Sequence, residues 1–317
     1  MRLGCQDPCL SAGRHGSATA QSPIRWWQFC KPTQTDRKLT MTRILLAFFI
    51  SSTLLTSCSA TKEQFGENVI ENTTDTTLSK QEVQKIRNLD ANIFDSGTFV
   101  GKEQIEIKYR LFTPKQKGTD KYPLVIVYHG SGAIGTDNKS QLGLLPKLFS
   151  SQDNQVKYPA YILAPQFPTR SSDYELDTAR SVLHSIPRPC LNSVLQLIDS
   201  LKSILNVDSN RIYVIGFSMG GSTAINSLSN RPDLFAAGIS ISGIPQFDKI
   251  QELTTIPIWL IHGIDDTENA INSDEQFYKE GGTKIRFWKL KETTHDNIFT
   301  TTILGETLLK WLFKQRK

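Results

Sequence analysis

The chain has 317 residues, 38% hydrophobic and 21% charged, an ordinary globular composition that fits a catalytic domain of about 200–250 residues plus appendages. Its net charge of +5 is uneven: residues 1–40 hold Arg2, Arg14, Arg25, Lys31, Arg37 and Lys38 against Asp7 and Asp36, and no basic stripe follows, which argues against a nucleic-acid partner. The five cysteines, Cys5, Cys9, Cys30, Cys58 and Cys190, form no zinc-ligand pattern with the histidines, and only Cys190 falls in the periodic region, so no supporting disulfide is expected there.

Residues 41–58, MTRILLAFFISSTLLTSC, place Arg43 before the short apolar run Ile44–Leu55 and then small residues, the layout of a secretory signal peptide. The run is short for a bilayer span, which takes about 20 apolar residues. The LLTSC end resembles a bacterial lipoprotein box, which would make Cys58 the lipidated first residue of the mature protein. Met41 is then the natural initiator, and residues 1–40 read as a mis-called start or an unstructured extension. Residues 58–90 are polar and rich in Thr, Asn, Glu and Lys, which suits a tether, with a short helix over Gln81–Leu89.

A regular pattern begins near Phe94, and residues 91–317 read as one catalytic domain. Ile105–Phe112 alternates as a half-buried strand, whereas Pro123–Gly130 and Tyr161–Pro165 are continuously apolar, as buried central strands are. Leu191, Val194, Leu195, Ile198, Leu201, Ile204 and Leu205 follow helical spacing. Strands then fall at Arg211–Gly216, Ala236–Gly243, Pro257–Gly263 and Lys284–Leu290, with helices over Ser222–Ser229, Ala270–Glu280 and a last one carrying Ile303, Leu304, Leu308, Trp311 and Leu312. Alternating strands and helices predict an α/β fold with a mostly parallel sheet and helices on both faces. Gln166–Arg188 is the longest insertion, a polar stretch expected to border the site, where Arg170, Tyr174 and Arg180 could meet sugar hydroxyls or an aromatic acid; the alternative is a loop that is polar for solvation alone.

Between one strand and the next helix lies Gly216-Phe217-Ser218-Met219-Gly220, a G-x-S-x-G turn. Such a turn leaves no room for flanking Cβ atoms, and it lifts the serine hydroxyl out of the sheet at a helix N-terminus that favours developing negative charge. Ser218 is therefore the candidate nucleophile. Of five histidines, His295 sits on a loop after the last strand, where a general base belongs in this arrangement, while His15, His129, His184 and His262 lie elsewhere. The orienting acid should follow the penultimate strand, where Asp265, Asp266 and Glu268 are available; Asp296, adjacent in sequence to His295, is set aside. An oxyanion needs two backbone donors, and these are expected from Met219, after the nucleophile, and Ser131, in the glycine-rich loop Tyr128–Asn138 after an early strand.

YPLVIVYHGSGAIGTDN, ILAPQFP, VDSNRIYVIGFSMGG, WLIHGIDD and ETTHDNIF together resemble secreted bacterial α/β-hydrolases of the phospholipase/carboxylesterase and feruloyl-esterase-like type, over roughly residues 95–317. The resemblance implies an α/β-hydrolase fold, with Ser218 as nucleophile, His295 as base, and Ser131 and Met219 at the oxyanion. The H-G-x-x-D spacing that recurs in that superfamily selects Asp266 as the acid. The chain departs from the family where Thr267-Glu268-Asn269-Ala270 replaces a valine–proline pair, and where Tyr174 or Tyr161 must stand in for a tryptophan. The expected activity is hydrolysis of short-chain or aromatic carboxylic esters, on a small molecule or carbohydrate, with no metal or organic cofactor. The alternatives are a serine peptidase or acyl-peptide hydrolase and a non-catalytic binding lipoprotein. The expected place is the bacterial envelope, lipid-anchored and facing periplasm or exterior.

Overall fold

The computed structural model describes residues 65–71, 78–115, 119–300 and 304–317. The expectations for residues 1–40, the signal sequence at 41–57 and lipidation at Cys58 lie outside the described residues. Among the described residues eleven strands are present: β1 (Gly66–Ile70), β2 (Asp95–Val100), β3 (Glu106–Phe112), β4 (Tyr122–Tyr128), β5 (Tyr161–Gln166), β6 (Ser172–Asp177), β7 (Val182–Pro187), β8 (Val207–Phe217), β9 (Ala237–Ile241), β10 (Ile258–Gly263) and β11 (Ile285–Leu290). The helices are α1 (Lys80–Arg87), α2 (Leu144–Ser150), α3 (Gln152–Lys157), α4 (Pro189–Ile204), α5 (Met219–Asn230), α6 (Asn272–Glu280) and α7 (Glu306–Lys314). Among the described residues no helix is long and apolar enough to cross a membrane.

Nine strands form one sheet in the order β1-β11-β10-β9-β8-β4-β5-β3-β2. From β1 to β5 all neighbours are parallel; β3 and β2 then add antiparallel strands at one edge. Strands β4, β5, β9 and β10 are buried along their whole length, as their unbroken apolar sequences require. Alternate residues of one strand feed two cores. Ile212 and Val214 pack with Leu191, Ile198 and Ile225 of α4 and α5; Tyr213 and Ile215 pack with Leu145, Leu148 and Leu312 of α2 and α7. Helices thus cover both faces, and the carboxyl ends of β4, β8, β10 and β11 open onto one edge.

Two regions differ from the sequence reading. The stretch read as a tether contains strand β1, paired in parallel register with β11 from Gly66↔Arg286 to Ile70↔Leu290. Its middle residues are exposed, and ion pairs at its ends, Glu67 with Lys289 (2.6 Å) and Glu71 with Lys291 (2.7 Å), fasten it. A polar edge strand carries no apolar alternation to betray it. Helix α1 follows, begun by a reciprocal Ser79–Glu82 capping box. The second difference is Gln166–Arg188, read as a loop. It holds the antiparallel pair β6–β7, in register from Ser172↔Pro187 to Asp177↔Val182. Asp177 caps its turn by accepting from the Ala179 and Arg180 N–H groups (both 3.0 Å).

Trp259 in β10 is fully buried between Trp288 (4.6 Å between centroids) and Trp311 (5.3 Å), with the Arg286 guanidinium 4.2 Å above its ring. Among the described residues its indole N–H meets no acceptor. Trp259→Ala should lower the unfolding free energy by about 3–5 kcal/mol. Trp259→Phe, which keeps one aromatic ring and removes the N–H, should cost less than the alanine change, about 2 kcal/mol or below. Urea unfolding of both variants checks this, and equal losses would contradict the packing described.

Candidate active site

The site is built around the junction of β8 and α5. Ser218 has φ 56° and ψ −124°, a left-handed conformation that a non-glycine residue adopts only under constraint. The constraint is steric. A Cβ on Gly216 would run into the Gly220 carbonyl, and one on Gly220 would run into the Tyr128 carbonyl at the end of β4. The Ser218 N–H is tied to the Ile241 carbonyl at 2.8 Å, at the end of β9. The strand therefore becomes a helix within one residue, and the hydroxyl stands at the carboxyl edge of the sheet.

His295, on the loop after β11, places Nε2 2.8 Å from Ser218 Oγ and Nδ1 2.7 Å from Asp266 Oδ2. Asp266, on the turn after β10, uses its other oxygen to accept from the N–H groups of Glu268 (3.0 Å) and Asn269 (2.9 Å). Of the three candidate carboxylates, Asp266 is the one that meets Nδ1; Glu268 lies 3.8 Å from Nε2 and is 63% exposed. The Asp265 N–H donates to the Thr293 carbonyl (3.0 Å), which ties the acid turn to the histidine loop. Burial alone would raise the Asp266 carboxyl, but hydrogen bonds from His262, His295 and the Asn269 N–H outweigh it and hold the group well below the usual range. Ser218, His295 and Asp266, expected together from sequence, thus form one hydrogen-bonded chain. Such a chain can pass the serine proton to an oriented imidazole.

Ser131 opens a 3-10 turn, Ser131–Ala133, directly after β4, and Met219 is the first residue of α5. Gly130 lies against the serine: a Cβ there would be 3.6 Å from Ser218 Cβ. His129, set aside in the sequence reading, braces this loop. Its Nε2 accepts from the Phe167 N–H (3.0 Å), so Nδ1 carries the proton and donates to the Gly130 carbonyl (2.8 Å). Gln166 adds support, donating to Asp137 (2.7 Å) and Ala133 (3.2 Å) and accepting from the Asn138 N–H (2.6 Å).

Tyr174, of the β6–β7 pair, reaches the other side of the elbow. Its hydroxyl is 3.2 Å from Ser222 Oγ, one helical turn after Ser218, and Arg170 lies 5.4 Å over its ring. Tyr161 is instead fully buried in the sheet. Arg180 is committed to Asp177 (2.7 Å) and Glu280 (2.9 Å) and stacks on Phe247, so it faces no open ligand space. Between the 130s loop and α2 runs a cleft of about 230 Å³, lined by Gly130, Ala133, Leu144, Leu145, Phe217 and Phe299 among others. It abuts the chemistry, since the Phe217 ring is 4.8 Å from that of His295.

The reading of single motifs missed one further group. His262, fully buried in β10, faces Asp274 Oδ2 through Nδ1 (2.7 Å) and the Asn269 carbonyl through Nε2 (2.7 Å), with Asp266 Oδ2 3.5 Å from Nε2. The available signal was a histidine inside an apolar strand, four residues before an acid and twelve before another in the first turn of a helix.

A parallel sheet with a serine elbow at its carboxyl edge defines the α/β-hydrolase fold. The chain belongs to the phospholipase/carboxylesterase family, whose profile matches residues 115–298. A solved thermostable esterase is 32% identical with a TM-score of 0.64, the match covering 72% of this chain and 64% of that one. A bifunctional acetylxylan esterase/xylanase from Neocallimastix patriciarum is 34% identical over 86 residues, 27% of this chain but 13% of that protein. A ferulic acid esterase from Anaeromyces mucronatus shares the fold at 14% identity and a TM-score of 0.53, covering 77% of this chain and 98% of that one. The chain thus spans less than two thirds of the first two of these proteins.

Burial alone would lower the His262 pKa, but Asp266 and Asp274 outweigh it and push it up to about 9. A raised folded pKa stabilises the fold fully below the unfolded value of about 6.5, and that stabilisation is lost as pH rises through the folded value. Unfolding free energy should therefore decline between pH 7 and pH 9.5. The decline should be absent in His262→Gln, as followed by urea unfolding across that range.

Proposed function

We propose that this protein is a serine carboxylic ester hydrolase in which Ser218 attacks the acyl carbon, His295 takes and returns the proton, and Asp266 orients His295 and stabilises its charged form. The observation that carries this reading is the continuous chain from Ser218 Oγ through His295 to Asp266, 2.8 and 2.7 Å long at its two links, on an elbow at a helix N-terminus. The tetrahedral oxyanion lies between the Ser131 and Met219 N–H groups. Water then hydrolyses the acyl-enzyme with the same histidine as base. The likeness to a thermostable esterase and an acetylxylan esterase supports ester over amide substrates.

The cleft beside Phe217 and Phe299 receives the acyl group. At about 230 Å³ it is below the roughly 300–1,000 Å³ of pockets for drug-sized ligands, so it suits a short or single-ring acyl group rather than a long chain. Tyr174 and Arg170 border the side left for the alcohol, where they can meet sugar hydroxyls. The same triad would serve an acyl-peptide hydrolase, so a peptide anilide belongs in the test. We place the protein at a bacterial membrane through a lipid on Cys58, supported by the Arg43 n-region and the apolar run that follows it.

Ser218→Ala should abolish labelling by a fluorophosphonate probe while the circular dichroism spectrum stays native, and Asp266→Asn should reduce kcat by about 10⁴. Labelling that persists in the folded serine variant would overturn the nucleophile. Comparing kcat/KM for acetyl, feruloyl and palmitoyl esters and a peptide anilide should favour the first two; a preference for palmitoyl would contradict the cleft assignment. Intact-mass analysis of membrane-extracted protein should give a mature chain beginning at a lipidated Cys58, and an unmodified Cys58 would refute the anchor.

A further inference from the structure

Behind the chain from Ser218 to Asp266 lies a second histidine–carboxylate pair. Its three side chains, His262, Asp266 and Asp274, are all without solvent exposure. The His262 Nε2 position faces two oxygens, the Asn269 carbonyl at 2.7 Å and Asp266 Oδ2 at 3.5 Å. A carbonyl cannot donate, and Asp266 Oδ2 already accepts from His295, so Nε2 carries a proton. Nδ1 faces Asp274 Oδ2 at 2.7 Å. Asp274 lies in the first turn of α6, where the helix dipole favours its carboxylate, and the Asp266 carboxylate favours a cation at His262. Burial pushes the Asp274 carboxyl up and opposes the charged pair, and Asp274 Oδ1 has no partner among the described residues, but the dipole and the Asp266 carboxylate both favour the second proton on Nδ1.

The remaining charged neighbours are accounted for. Lys289, the register partner of His262 on β11, is taken up by Glu67 and Glu275, both at 2.6 Å. The β6–β7 pair meets α6 through Ser273, which donates to the Leu183 carbonyl beside His184. The Asn269 carbonyl belongs to the same turn whose Glu268 and Asn269 N–H groups hold Asp266 Oδ1, so a donor fixed on that carbonyl fixes the carboxylate. The Asn269 side chain secures the turn from the other side, donating to the Ser242 carbonyl at 2.7 Å.

We propose that His262, held by Asp274, is a positioning residue for the acid limb: a buried imidazolium that clamps the 266–269 turn and keeps Asp266 an aligned carboxylate acceptor for His295. The inference rests on the proposed roles of Ser218, His295 and Asp266. His262 touches no substrate and acts through Asp266.

The test uses the full chain. In wild-type protein, ¹⁵N NMR of the imidazoles, assigned by replacing each of the other histidines in turn, should show both His262 nitrogens protonated at pH 7.5; a neutral tautomer overturns the proposal. His262→Gln keeps a donor for the Asn269 carbonyl, and Asp274→Asn removes the partner charge. In each, kcat on a simple ester should fall about ten- to hundredfold with KM within about twofold. A folded variant with kcat within about twofold of wild type would show a merely structural histidine and overturn the proposal; where neither variant folds, the NMR result decides. Ser218→Ala and Asp266→Asn run alongside. Hydrolysis within about tenfold of wild type in either would remove the reading on which the inference rests, whereas large losses there beside a silent His262→Gln would overturn the inference alone.

Discussion

The left-handed backbone at Ser218 is the constraint from which the site takes its geometry. A non-glycine residue held there costs about 1–3 kcal/mol, and the surrounding structure must over-determine it. It does so with the Ile241 carbonyl on the Ser218 N–H and with two glycines pressed against carbonyls of the helix and of β4. Because α5 is packed that tightly on the sheet, its N-terminus, the Gly130 turn and the His295 loop converge on one serine, with His295 Nε2 2.8 Å from its hydroxyl. A side chain at either glycine would separate them.

The second organising fact is the density of polar groups without solvent at this edge. Buried polar groups are costly unless satisfied, and strong when they are. Three histidines here each find partners in two segments: His129 between Phe167 and Gly130, His295 between Ser218 and Asp266, and His262 between Asn269 and Asp274. The protein thus uses histidine three times at the carboxyl ends of β4, β10 and β11. In each case the loop that leaves the strand is held by a ring whose two nitrogens point to two different segments.

Much of this was legible in sequence. Strands β4, β5, β9 and β10 announce themselves as unbroken apolar runs, and α4 and α5 by helical spacing, because burial on both faces of a parallel sheet leaves few other solutions. The glycines flanking Ser218 and the carboxylate cluster after β10 were equally readable, because sterics and strand order fix them. What escaped depended on pairing rather than composition. Strand β1 is polar and held at its ends by Glu67 and Glu71; the β6–β7 pair has exposed Leu176 and Leu183 and reads as loop. The partnership of His262 with Asp274 spans a strand, a turn and a helix, and no local pattern encodes a contact closed by tertiary packing.

Strand β1 also sets a direction. It runs parallel to β11 and β10, so Gly66 lies at the amino edge of the sheet, while Ser218 stands at the carboxyl edge. Seven residue steps separate Cys58 from Phe65, no more than about 25 Å of fully extended backbone. A chain held by lipid at Cys58 would therefore be a short leash fastened to the end of the domain remote from the chemistry. Such a tether would meet the domain on the side of the sheet opposite the catalytic mouth, which would be left open to the surrounding medium.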